Sequence, residues 1–196
     1  MPAAADAAFA FTFGPLTRRR RARYIVDIIG EQDARLDWSG CGVQYRAVRY
    51  FLDTEYNGWG GALISLALVP EGGEELYLTL ALDDPLEPWV ERHVLPYLDM
   101  VPAGLVSPRL KRIDAALMLS HYLAPDPEPL IVADWPEDIA QIAMLLITGN
   151  GEMVACPRLR FEMLRLPGFS TAATSKVAHN ALHDARALRD HVLGLE

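Results

Sequence analysis

The chain has 196 residues, 51% of them hydrophobic, and a formal net charge of −8. That length supports the core of one globular domain, and no apolar run approaches the roughly 18 uncharged residues of a membrane-spanning helix. Only Cys41 and Cys156 are present, which excludes a disulfide framework and a thiolate zinc site and leaves two reduced thiols of a cytoplasmic protein as the expectation.

Charge is uneven along the chain. Residues 1–47 carry seven Lys/Arg against five acids, a net +2, and residues 48–196 carry eleven against twenty-one, a net −10. A domain that acidic does not grip a long polyanion through bulk electrostatics. Contact with nucleic acid is therefore expected to be local and metal-mediated, at a chain end. The first 47 residues are Ala-rich, then basic at Arg18, Arg19, Arg20, Arg21 and Arg23, and only weakly patterned. Their charge follows the apolar stretch, the reverse of a secretory signal. They are expected to be an extension dispensable for activity, either flexible or the product of a mis-assigned start. An arginine-rich RNA-binding arm is the competing reading.

From Val48 the pattern is clean. Residues 48–56 (VRYFLDTEY), 62–69 (ALISLALV) and LYLTLAL read as strands, separated by a turn at Gly58, Gly60 and Gly61 and by PEGGEE. Short turns between successive strands predict an antiparallel meander. A helix is predicted over 86–98, with Trp89, Val90, Val94 and Leu98 as its apolar positions and Pro96 as a late interruption. Another is predicted over 108–123, placing Leu110, Ile113, Leu117 and Leu119 on one side. PDPEP breaks the chain before LIVAD, an apolar strand expected to be central. A helix over 136–147 with Pro136 in its first turn, a strand near 159–164 and a helix over 180–193 complete the order. The fold class is α/β, a mixed sheet flanked by helices.

Three places carry chemistry. Asp53 and Glu55 are two apart, so on a strand both side chains leave the same face. Burying two carboxylates among Tyr, Phe and Leu is costly without a cation, and hard ions such as Mg²⁺ and Mn²⁺ prefer carboxylate oxygens. Asp138 lies in the first turn of the helix after LIVAD, where an acid also offsets the helix dipole. Ile139, Ile142 and Leu146 anchor that helix and aim Asp138 toward the strand ends, with Asp134 as its rival. Asp184 falls in the first turns of the last helix, where Leu182, Ala185 and Leu188 can pack inward. Asn180 is the candidate N-cap, leaving His179 just outside the helix. Imidazole ordinarily titrates near neutrality, which suits a general base. His93, His121, His183 and His191 lack such spacing to a carboxylate and are expected to be structural.

DTE on a first strand, an aspartate after a later strand, and HNALHDA opening a last helix resemble the DEDDh 3′–5′ exonucleases, the superfamily of proofreading domains, RNase T and oligoribonuclease. RYFLDTEYNGWGGALISLALV and VAHNALHDARAL are similar to the small bacterial exoribonucleases first described in mycobacteria. The likeness covers about residues 48–193, and the second motif departs from the commoner N-A-x-F-D by reading ADWPEDIAQI. It implies a ribonuclease H-like mixed sheet of five strands, the first three antiparallel. It also implies two Mg²⁺ or Mn²⁺ ions held by Asp53, Glu55, Asp138 and Asp184, with His179 deprotonating the attacking water. The product would be a nucleoside 5′-monophosphate from a single-stranded 3′ end, and a homodimer is the expected assembly.

Tyr56, Asn57 and Trp59 follow the first acidic pair and are expected near the terminal base, where an aromatic ring can stack, with Leu63 and Ser65 along the same wall. Arg158, Arg160 and Lys176 are the cations expected to meet upstream phosphates. RNA is the expected polymer and single-stranded DNA the alternative. A non-catalytic nucleic-acid-binding protein of the same fold and a nucleotide phosphohydrolase are the other readings.

Overall fold

The computed structural model describes residues 48–196, and the expectations for residues 1–47 lie outside the described residues. Strands β1 (Arg49–Tyr56), β2 (Leu63–Pro70) and β3 (Leu76–Leu80) come first. They pair antiparallel in succession, the expected meander. β2 is buried along its length, because helices cover both faces of the sheet and leave no position for a polar residue to reach water.

Helix α1 (Pro88–His93) is shorter than the predicted 86–98. Pro96 cannot donate an intrahelical bond, and the chain continues as a 3₁₀ turn over Leu95–Tyr97. Val90, Val94 and Leu98 pack against Ile64, whereas Trp89, expected with them, is 49% exposed. Next comes β4 (Arg109–Leu110), in residues expected to open a helix. It pairs parallel with β3, and Ala81 N–H donates to Leu110 O at 2.8 Å, which covers an edge that would otherwise be open.

The chain then forms α2 (Arg112–Leu123), β5 (Leu130–Ala133) and α3 (Pro136–Leu145). α2 turns Ala115, Ala116, Leu119 and Leu123 inward, and Ile113 and Leu117, expected on the packed side, face solvent. α3 stops before Ile147 because that residue opens a hairpin of β6 (Ile147–Gly149) and β7 (Glu152–Met153). Gly151 supplies the positive φ of its turn. Finally come β8 (Arg160–Met163), the short α4 (Thr171–Thr174) and α5 (Ala181–Leu193).

The sheet order is β4-β3-β2-β1-β5-β8, six strands where five were expected, the extra one being β4. β5 lies parallel to β1, and β8 parallel to β5. On one face α2 and α3 bury Leu119, Leu123, Ile142 and Leu145 with Leu52, Leu66 and Leu78. On the other, α5 sets Ala181, Leu182 and Ala185 on Ala67, Val69 and Tyr77, and Leu188 and Val192 on Phe51 and Val132. Alternation along β1 therefore sends Phe51, Asp53 and Glu55 toward α5, and Leu52 and Thr54 toward α3. Among the described residues no helix is long and apolar enough to cross a membrane.

Asn180 fixes where α5 begins. Its Oδ1 accepts from the N–H groups of Leu182 (3.2 Å) and His183 (3.4 Å), and its Nδ2 donates to Tyr97 O (2.7 Å). Asn180→Ala removes the cap and leaves buried backbone groups unpaired, an expected loss of about 1–3 kcal/mol in denaturant unfolding. A loss below about 0.5 kcal/mol would mean that the cap does not hold the helix start.

Candidate metal centre

β5 runs beside β1 only from Arg49 to Phe51. Beyond it, the Asp138 side chain closes the open edge of β1. Its Oδ1 accepts from Thr54 N–H at 3.1 Å and from the Thr54 hydroxyl at 2.6 Å. Asp138 is 3% exposed, held by the packing of Ile142 and Leu146 behind it. On the α5 face, Glu55, His179 and Asp184 each bring one possible ligand atom within 4.8 Å of the others. Asp53, half-buried on the same face of β1, feels the charges of Asp138, Glu55, Asp184 and, most weakly, Asp134. Three distant segments thus converge on the end of β1.

The cost of that convergence appears in the proton affinities. Burial, then Asp138, Glu55 and Asp184, push the Asp53 carboxyl well above the ordinary range. Burial, then the charges of Asp184 and Asp138, push Glu55 up to about 8. Asp138 is raised to about 7 by burial, against the opposing hydrogen bond from Thr54. Asp184 is raised chiefly by burial and held back by Ser175 and His179. Asp138 acts on both Asp53 and Glu55, whereas Asp134 acts on Asp138 and, as its weakest neighbour, on Asp53, but not on Glu55. This favours Asp138 over its rival as a member of the cluster.

His179 stands outside α5 with φ 62°, a left-handed conformation uncommon for a residue with a Cβ. Its N–H donates to Asp184 Oδ2 at 3.1 Å. The other oxygen, Asp184 Oδ1, is buried and has no hydrogen-bond partner. The Ser175 hydroxyl, near enough to lower the proton affinity of Asp184, is itself buried without a partner of hydrogen-bond geometry. An unpartnered carboxylate oxygen beside several other carboxylates fits a hard divalent cation, which takes oxygen ligands.

The remaining candidates fall into two groups. Tyr56 is half-buried beside Glu137 and Trp135, at the start of α3. Trp59 is 95% exposed at the tip of the glycine turn and does not pack into the core. That turn is fixed by Gly60 N–H donating to Glu137 Oε1 (2.8 Å) and Gln141 Nε2 donating to Gly61 O (3.0 Å). A Cβ on Gly61 would lie 1.9 Å from Asn57 O. Asn57 has both ends of its amide engaged, with Pro85 O and Glu87 N–H. Leu63 and Ser65, expected along the wall beside Trp59, are buried within β2.

Arg158 and Arg160 are not brought to the carboxylates. Their N–H groups donate to Pro127 O and Pro129 O at the beginning of β5, and their side chains lie 3.8 and 4.0 Å from Glu128. Asp134 and Asp138 follow the end of β5, so parallel pairing puts these arginines at the opposite end of the sheet. Lys176 instead lines a cavity with Glu75, His183, Arg186 and Arg189, on the segment leading to His179. Glu75 accepts from Arg186 Nε at 2.9 Å. Of the histidines expected to be structural, His183 bonds Met100 O at 2.9 Å and His191 stacks on Phe169.

Two residues of the site escaped sequence reasoning. Thr54 was legible in principle, since the residue between Asp53 and Glu55 must face the helix that follows β5. Trp89, whose ring meets that of His179 at 5.0 Å, carried no signal beyond being apolar. Compared with known proteins, the chain matches no family model, and no curated protein matches it.

The raised proton affinities give stability a defined pH dependence. Without metal, the folded chain holds protons on Glu55 up to about 8 and on Asp138 up to about 7, where the unfolded chain has released them. The folded state therefore binds more protons across that window, and stability falls as pH rises from the ordinary carboxylate range toward 8. Thermal unfolding in chelator is expected to show a falling midpoint over that range. Mg²⁺ or Mn²⁺ should raise the midpoint far more near pH 8 than near pH 5, because protons compete for the same oxygens. A midpoint that is flat with pH and indifferent to metal would contradict this.

Proposed function

We propose that this chain is a metal-dependent 3′–5′ exoribonuclease of the DEDDh type, built on a ribonuclease H-like sheet. The observation that carries the reading is the convergence of Asp53, Glu55, Asp138, Asp184 and His179 from three segments, with carboxylates that resist ionisation together. Asp53, Glu55, Asp138 and Asp184 would hold two Mg²⁺ or Mn²⁺ ions. Bound there, the ions would supply Lewis-acid stabilisation of the charge that builds on the scissile phosphate and the leaving 3′ oxygen.

The rest is the work of side chains. Thr54 fixes the Asp138 carboxylate in one orientation through two hydrogen bonds. The His179 imidazole takes the proton of the attacking water as the water oxygen bonds to phosphorus and the bond from phosphorus to the 3′ oxygen breaks. The leaving 3′ oxygen takes up a proton from solvent, so the products are a nucleoside 5′-monophosphate and a strand one nucleotide shorter with a free 3′ hydroxyl. Trp59, fully presented to solvent beside the site, suits stacking on an unpaired base. The acidic balance of residues 48–196 disfavours a grip on duplex, which favours a single-stranded end. Assembly as a homodimer belongs to the same reading.

The test is incubation with 5′-labelled single-stranded RNA and DNA in Mg²⁺, Mn²⁺ or chelator. Stepwise shortening from the 3′ end is expected, lost in chelator and in Asp53→Ala, and reduced about 10²–10⁴-fold in His179→Ala. Metal-dependent binding without shortening would make the chain a binding protein, and hydrolysis of free nucleotides alone would make it a nucleotide phosphohydrolase.

A further inference from the structure

His179 is held at its backbone, yet among the described residues no hydrogen bond holds its ring. The N–H bond to Asp184 Oδ2 places the backbone, which has a left-handed φ of 62°, and a ring nitrogen lies within 4.8 Å of the Glu55 and Asp184 carboxylates. Rotation about the side-chain bonds is left to packing. The packing partner is Trp89, whose ring centroid lies 5.0 Å from that of His179 at an interplanar angle of 83°. Edge-to-face contact at this separation is a preferred aromatic geometry. His93, one turn along α1, lies against Trp89 as well, at 5.0 Å and 32°. The indole is thus bracketed by two imidazoles.

Trp89 contributes little to the core. It is 49% exposed, while its neighbour Val90 is 3% exposed and anchors α1 against Ile64. The ring contacts of Trp89 are with His179 and His93.

We infer that Trp89 is a positioning residue that orients the His179 imidazole toward the carboxylate cluster, with His93 bracing the indole from its own helix. The inference rests on the reading of His179 as the general base. Trp89 touches neither substrate nor metal in this role. It narrows the ring's rotation so that the accepting nitrogen faces the attacking water, and misplacing a reacting group by about 1 Å can cost ~10²-fold in rate.

The experiment uses the full chain with a 5′-labelled single-stranded RNA in Mg²⁺. Trp89→Leu removes the aromatic ring and is expected to lower kcat by about ten- to a hundredfold with KM within about twofold, whereas Trp89→Phe, which keeps a ring there, stays within about threefold of wild type. His93→Leu, an exposed change that only loosens the indole, is expected to lower kcat by a smaller factor. An independent readout is the imidazole proton resonance of His179, expected to carry a ring-current shift that Trp89→Leu abolishes while the Mn²⁺-induced gain in thermal midpoint persists. Unchanged kcat in Trp89→Leu would overturn the proposal, as would an unshifted His179 resonance. A rise in KM alone would do the same and would make Trp89 a substrate contact. Full activity of His179→Ala would remove the base reading, and the positioning role with it, whatever Trp89→Leu does.

Discussion

Carboxylates crowded at the end of one strand repel each other, and burial removes the water that would screen them. Three segments of the domain hold that unfavourable group in place. The raised proton affinities of Asp53, Glu55, Asp138 and Asp184 are the electrostatic record of it. A chain gains nothing in stability from such an arrangement at neutral pH unless protons or cations neutralise it. Cations do so with chemistry attached.

The scaffold holds the group from three directions. β1 supplies two carboxylates because its alternation is locked by Phe51 on one face and Leu52 on the other. β5 stops after Ala133, and the gap it leaves lets α3 bring Asp138 onto Thr54. α5 starts where Asn180 caps it, which makes Asp184 its fourth residue and leaves His179 outside. Around the rim, Glu137 and Gln141 of α3 pin the glycine turn that carries Trp59. One helix thus fixes both a carboxylate and the loop beside it.

Much of this was legible in the sequence, for particular reasons. Asp53 and Glu55 were readable because strand alternation has period two and tolerates no ambiguity of face. Asp184 and His179 were readable because a cap residue sits between them. The α/β class and the antiparallel meander followed from short turns between apolar runs. Asp138 could not be separated from Asp134 in sequence, since both follow the same strand, and Thr54 was needed to distinguish them. Arg158 and Arg160 were misjudged because nearness to a strand says nothing of which end of the sheet it reaches; parallel pairing with β5 decided that. Arg109–Leu110 resembled a helix start, yet the unpaired edge of β3 took it as a strand. The contact of Trp89 with His179 joins residues ninety positions apart and has no local signature.

The most direct test of the account is diffraction from crystals grown in Mn²⁺, with data collected at the manganese absorption edge. Two anomalous peaks among Asp53, Glu55, Asp138 and Asp184 are the predicted result, with His179 free to accept a proton. A map with no peak there, or with its manganese bound elsewhere on the acidic surface, would contradict the claim that these carboxylates converge to hold metal.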